Sequence, residues 1–181
     1  MRIDRLGERI GYVLAAGGRL LAVGNGGSAA QASHLTAELV GRYDGDRRPL
    51  AAVAVGAEHP AMTAIVNDYG IDDAFVRPVL AHGRRGDVLV ALSTSGRSRN
   101  VISAVETASA HGLMTLGLTG PVPNPLADRC DHTVAAAGDT TAIVQEIHQV
   151  VIHLLCAAID RAVRAFDASH RAASETIGIA G

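Results

Sequence analysis

His34 and Glu38 stand four residues apart in SHLTAELV, a spacing that sets an imidazole and a carboxylate on one face of a helix. Such a pair can move protons near neutral pH, because burial and neighbours tune both groups. A second polar set, Gln145, Glu146, His148 and His153, interrupts the apolar segment QEIHQVVIHLLC. Glu146 and Gln149 read as a solvated stripe. His153, embedded in VVIHLLC, is either a core histidine bonded to backbone or a functional group. Gln145 and His153 are separated by a helical rise of roughly 12 Å at about 1.5 Å per residue. Side chains that far apart on one helix would strain to reach a single point, so either one acts from outside it or the site gathers residues from neighbouring subunits.

Two loops have the composition of anion cradles. Val23-Gly24-Asn25-Gly26-Gly27-Ser28 lets the backbone turn tightly and bring N–H groups to a ligand at the start of a helix. Ser93-Thr94-Ser95-Gly96-Arg97-Ser98 carries more hydroxyls than an N-cap requires. Each loop alone also reads as an ordinary turn with a cap. Together, after two strands of the same kind, they favour a phosphate or polyol site. Neither carries the Gly-Lys-Ser/Thr of a nucleotide-binding P-loop or the dinucleotide glycine spacing, so a sugar phosphate suits them better than a nucleotide.

These residues need a scaffold that brings strand ends and helix starts together. Short apolar runs at Arg19–Val23, Leu50–Val55, Asp87–Leu92, Leu113–Leu118 and His132–Ala135 predict strands. Between them the pattern predicts helices over Ser28–Gly41, His59–Asp68, Arg97–His111 and Asn124–Asp128. An opening helix within residues 1–18 closes at Gly17–Gly18, a long C-terminal helix covers 140–166, and residues 167–181 form a flexible tail. Such alternation predicts one α/β domain over 1–181: a three-layer, flavodoxin-like sandwich with a central parallel sheet of about five strands and helices on both faces. In such sheets the ligand sits beyond the carboxyl ends of the strands, where both loops fall.

Composition narrows the classes further. The chain has 181 residues, 48% apolar and 19% charged, with a formal net charge of −2, and no long basic run, so nucleic acid is a poor ligand. Aromatics are 3%, too few for base stacking. Cys130 and Cys156 read as free thiols of a reducing compartment. No signal peptide or uninterrupted membrane-spanning apolar stretch is visible, which predicts a cytoplasmic protein with no membrane partner.

The segments GNGGSAAQASHLTAELVGRY, NDYG at Asn67–Gly70, STSGRSRNV and QEIHQVVIHLLC resemble the signature segments of bacterial phosphoheptose isomerases, a family of the sugar isomerase (SIS) domain superfamily. The resemblance implies conversion of sedoheptulose 7-phosphate to D-glycero-D-manno-heptose 7-phosphate through a cis-enediol. It implies that Glu38 and His153 are the acid–base groups, and that His34, Glu38, Gln145 and His153 bind zinc. Asn25, Gly26, Ser28, Asn67, Asp68, Ser93, Thr94, Ser95, Ser98 and Gln145 would contact the substrate, although Asn67-Asp68 reads equally well as a helix-ending turn. The family also implies a homotetramer with active sites shared between subunits. Other readings consistent with the segments are an isomerase of another phosphosugar and a non-catalytic SIS protein that binds a partner such as the replication initiator.

Overall fold

The computed structural model describes residues 3–178, with side chains to residue 172. Helix α1 (Ile3–Ala15) leads into β1 (Leu20–Gly24) and α2 (Gly27–Val40); β2 (Ala52–Ala54) is followed by α3 (His59–Tyr69) and α4 (Val76–His82). Then come β3 (Val88–Ser93), α5 (Arg99–Ala110), β4 (Met114–Thr119), α6 (Pro125–Arg129), β5 (His132–Ala135) and α7 (Thr141–Gly178). The strands form one all-parallel, five-stranded sheet in the order β2-β1-β3-β4-β5, the flavodoxin-like arrangement expected.

Period-two alternation along the strands builds two cores. Leu20, Ala22, Val88, Val90, Leu92, Leu116 and Leu118 face α1, α2 and α7, where they meet Leu6, Ile10, Leu35, Leu39, Ile152, Leu155 and Ile159. Leu21, Val23, Leu89 and Ala91 face the opposite layer, against Val79 of α4, Val101 and Val105 of α5 and Leu126 of α6. In the first layer α1 lies directly on α7. A Cβ on Gly7 would come 2.4 Å from that of Ala158, and one on Gly11 would come 2.7 Å from that of Ala162. Small residues one turn apart on each helix permit this close approach.

Four features differ from the sequence expectation. A 3₁₀ turn at Ile71–Asp73 and helix α4 fill a stretch with no expected element. At seven residues, with Pro78 inside, α4 is too short to show a helical period. Helix α7 continues past Phe166 to Gly178, where a flexible tail was expected. Residues 167–178 are polar and offer no apolar periodicity to read; residues 179–181 lie outside the described part. Third, α7 over Thr141–Ala172 is long and apolar enough to cross a bilayer by length and composition, yet 44% of its apolar window is buried as the spine of the first core. The edge of the sheet is also shorter than expected. β2 covers only Ala52–Ala54, and α3 beside it buries none of its residues.

Candidate active site

β1 and β3 are neighbours in register, Gly24 opposite Leu92, so the two loops leave the carboxyl edge of the sheet side by side. They are tied together by Asn25 and Asn100, whose amides exchange two hydrogen bonds of 2.9 Å. Gly26 takes φ +54° at the N-cap of α2, a left-handed conformation suited to glycine. Its side-chain-free turn leaves the first turn of α2 without a side-chain cap. Ser28 is buried at the same turn. In the second loop the Ser93 and Ser98 hydroxyls lie 3.1 Å apart, and the Arg97 amide donates to Ser95 Oγ at 3.2 Å. Ser98 is the N-cap of α5 but makes no capping hydrogen bond, so its hydroxyl is not used up in ending the helix. The β4–α6 loop supports this loop from behind. Leu126 N donates to Gly96 O at 3.0 Å, and Gly120 packs on the Thr94 carbonyl.

Farther along α2, His34 Nε2 lies 3.4 Å from Glu38 Oε1, as the helical spacing requires. Helix α7 brings His153 to the same point, its Nε2 3.1 Å from His34 Nε2. One Nε–H or one lone pair is all that His153 offers there, yet Gln149 Nε2 also approaches it at 3.1 Å. Such convergence of nitrogens suits a shared cation. The donor atoms of His34, Glu38 and His153 all lie within 4.8 Å of one another. A tetrahedral zinc with bonds of about 2.0–2.1 Å separates its ligand atoms by about 3.3 Å, which matches the 3.1 and 3.4 Å separations. Two imidazoles and a carboxylate are also the donor types zinc takes. The Tyr43 ring, 5.6 Å from that of His153, closes one side.

Other residues singled out from the sequence are distributed differently. Gln145 stands at the first loop: a Cβ on Gly27 would meet its Nε2 at 2.3 Å, and its carbonyl accepts from Gln31 Nε2 at 2.7 Å. Gln149, read from the sequence as a solvated residue, is the amide that reaches His153, a correction that the i, i+4 spacing could have signalled. Asn67 and Asp68 are exposed at the end of α3, where Asn67 Nδ2 donates to Asp68 Oδ1 at 2.8 Å. His148 is fully buried with Nε2 3.0 Å from the Thr119 carbonyl, and its Nδ1 has no partner. Burial lowers its pKa, and the Thr119 carbonyl opposes that shift. Burial, with Glu38 and Asp160 adding to it and Arg47 opposing, pushes the Cys156 thiol up to about 12. Burial, then Asp131, does the same for Cys130.

A concavity of about 980 Å³ lies elsewhere. It is an open apolar groove between β2, α3 and α4, lined by Val53, Met62, Ile65 and Leu80, and it contains none of the His34–Glu38–His153 cluster.

Comparison with known proteins places this geometry among relatives. The profile of the SIS domain family matches residues 1–120. A phosphoheptose isomerase of Streptomyces coelicolor is 54% identical over 170 residues, covering 94% of this chain and 74% of that protein. The structure of a phosphoheptose isomerase from Neisseria gonorrhoeae superposes with a TM-score of 0.82 at 41% identity, over 88% of this chain and 85% of that one. That of a phosphoheptose isomerase from Francisella tularensis does so with a TM-score of 0.84 at 33% identity, with the same shares.

Proposed function

Because the chain belongs to the phosphoheptose isomerase family of SIS-domain proteins, we propose that it converts sedoheptulose 7-phosphate to D-glycero-D-manno-heptose 7-phosphate, an aldose–ketose isomerisation through a cis-enediol. The observation that carries this reading is the meeting of His34, Glu38 and His153 at one point between α2 and α7. An assembly that only bound a partner protein would have no need of such a cluster.

In this reading the phosphate sits on the two loops, held by Asn25, Gly26 and Ser28 on one side and Ser93, Thr94, Ser95 and Ser98 on the other. Gln145, against the first loop, reaches the sugar, and Asn67 and Asp68 contact it from α3. Glu38 takes the proton from C1 of the ketose while His153 gives a proton to O2, which leaves the enediol. Glu38 then returns a proton at C2 as His153 takes the one on O1, giving the aldose with protons balanced. His34, Glu38 and His153 are the residues that would hold zinc. An amide oxygen of α7 would join them, from Gln145 as the family resemblance implies or from Gln149 beside His153. When bound, the ion would polarise the carbonyl and stabilise negative charge on the enediol oxygens.

The assembly proposed is a homotetramer with shared sites. Glu38 lies about 15 Å of helical rise beyond Ser28. This separation supports a site in which the cradle and the acid–base cluster come from adjacent subunits. Ile143, Val150 and Leu154 form an exposed apolar stripe on α7, and α3 has no core of its own in the single chain, which supports packing between copies. Two unpaired thiols and a net charge of −2 support a cytoplasmic protein that binds neither membrane nor nucleic acid.

The test is incubation with sedoheptulose 7-phosphate in deuterated water, with and without zinc, followed by NMR. A heptose 7-phosphate labelled at C2 is the expected product. No conversion by a folded oligomer under either condition would overturn the assignment.

A further inference from the structure

The residue that fixes where α2 ends is not on a helix. Arg47, in the connection to β2, has a side chain with only 2% exposure. Its Nη2 donates to the Glu38 carbonyl at 2.7 Å, and Nη1 donates to those of Leu39 (2.8 Å), Arg48 (3.0 Å) and Gly41 (3.2 Å). Its Nε donates at 2.8 Å to Oδ1 of Asp160, itself 1% exposed. Glu38 and Leu39 belong to the last turn of α2, whose carbonyls have no partner within the helix. Asp160 lies two turns beyond His153 on α7. One planar side chain therefore bolts the end of α2 that carries Glu38 to the helix that carries His153.

The arrangement exceeds what stability calls for. A buried ion pair stabilises little against an apolar pair of the same volume, because both charges must leave water. Here Asp160 Oδ2 even remains buried without a partner. What the pair does supply is direction. The fork of Arg47 sets the distance and rotation between two helices, and a lysine cannot satisfy a carboxylate and several carbonyls together. At the other end of α2 the loop cradle is held independently, by Asn25 and Asn100.

We infer that Arg47, with Asp160, is a positioning residue for the isomerisation: it holds the backbone of Glu38 so that its carboxylate and His34 meet His153. The inference rests on the acid–base reading of that cluster given above.

The experiment compares the wild-type protein with R47K and with the double variant R47M/D160L, which exchanges the ion pair for apolar packing. For R47M/D160L we expect the fold to be kept with a melting temperature lowered by about 5–10 °C, because the Glu38 carbonyl loses its donor. Its kcat for sedoheptulose 7-phosphate should fall about tenfold or more while KM changes by less than about twofold, since the cradle is untouched. R47K, with the charge but not the fork, should lose kcat in the same way. Imidazole ¹⁵N spectra of the metal-free proteins read the His34–His153 contact independently of activity, and in both variants those two rings should shift away from their wild-type positions. Wild-type kcat together with unshifted rings in a folded double variant would overturn the inference. If the wild-type protein itself fails to isomerise, the functional reading falls, and the ring spectra alone still decide whether Arg47 sets the contact.

Discussion

The amide of Gln145 occupies the space that a side chain on Gly27 would need: a Cβ there would lie 2.3 Å from Nε2 and 2.9 Å from Oε1 of Gln145. The glycine loop thus does two things at once. It starts α2 without a side-chain cap, and it admits an amide from α7 to the same place.

Gly27→Ala should therefore act on the site more than on the fold. The atoms met belong to the far end of a flexible side chain, so the amide can swing away at small cost. Steady-state kinetics should show kcat/KM reduced about tenfold, with a melting temperature within about 4 °C of wild type. Unchanged kinetics would remove Gln145 from the substrate site.

Glu38→Gln and His153→Ala should each lower kcat by about 10²–10⁴-fold, the usual contribution of a positioned acid or base. Circular dichroism should be unchanged, because both side chains are partly exposed at a helix seam. Activity surviving in both variants would sink the proton-transfer roles.

If the cluster holds zinc as proposed, affinity for the ion should distinguish the two glutamines. Gln149 lies 3.1 Å from His153 Nε2, whereas Gln145 lies at Gly27. Gln149→Ala should weaken zinc binding, measured by chelator competition, about 10-fold to 100-fold. A larger loss in Gln145→Ala would make that residue the closer partner of the ion.

The α1–α7 seam has no room for a methyl group. In Gly11→Ala the new Cβ would lie 2.7 Å from that of Ala162 and 3.0 Å from the Ile159 carbonyl, contacts that backbone must yield to relieve. Urea unfolding should show a loss of about 1–3 kcal/mol.

His148 makes stability depend on pH. Its pKa is lowered from 6.5 in the fold, chiefly by burial, so below pH 6.5 the unfolded chain binds a proton that the native protein refuses. Stability is fully present above that pH and falls as pH drops toward the folded value, by at most about 1.4 kcal/mol per pH unit from this group. His148→Gln keeps a donor for the Thr119 carbonyl without titrating. Urea melts at pH 7.5 and about 5.5 should show a smaller difference in the variant than in wild type; equal differences would show that His148 is not the source.

Local pattern determined much of this protein before any tertiary contact. Apolar runs such as VLVAL could only be strands covered on both faces, and their alternation with helices required a parallel sheet. The glycine and hydroxyl loops, lying directly after strands, had to emerge at its carboxyl edge. The pairing of His34 with Glu38 followed from the period of one helix. What lay between elements was not legible. Periodicity describes a face of a single helix, but the face of α7 that crosses α2, and at what height, depends on how Leu35, Leu39, Ile152 and Leu155 pack over β1, β3 and β4. That crossing brings His153 to His34 and leaves Gln145 at Gly27. It also draws Arg47 inward from a polar connection whose composition reads as surface. Side chains from distant segments converge only when the layers close, so only the tertiary structure could decide which of them share the site.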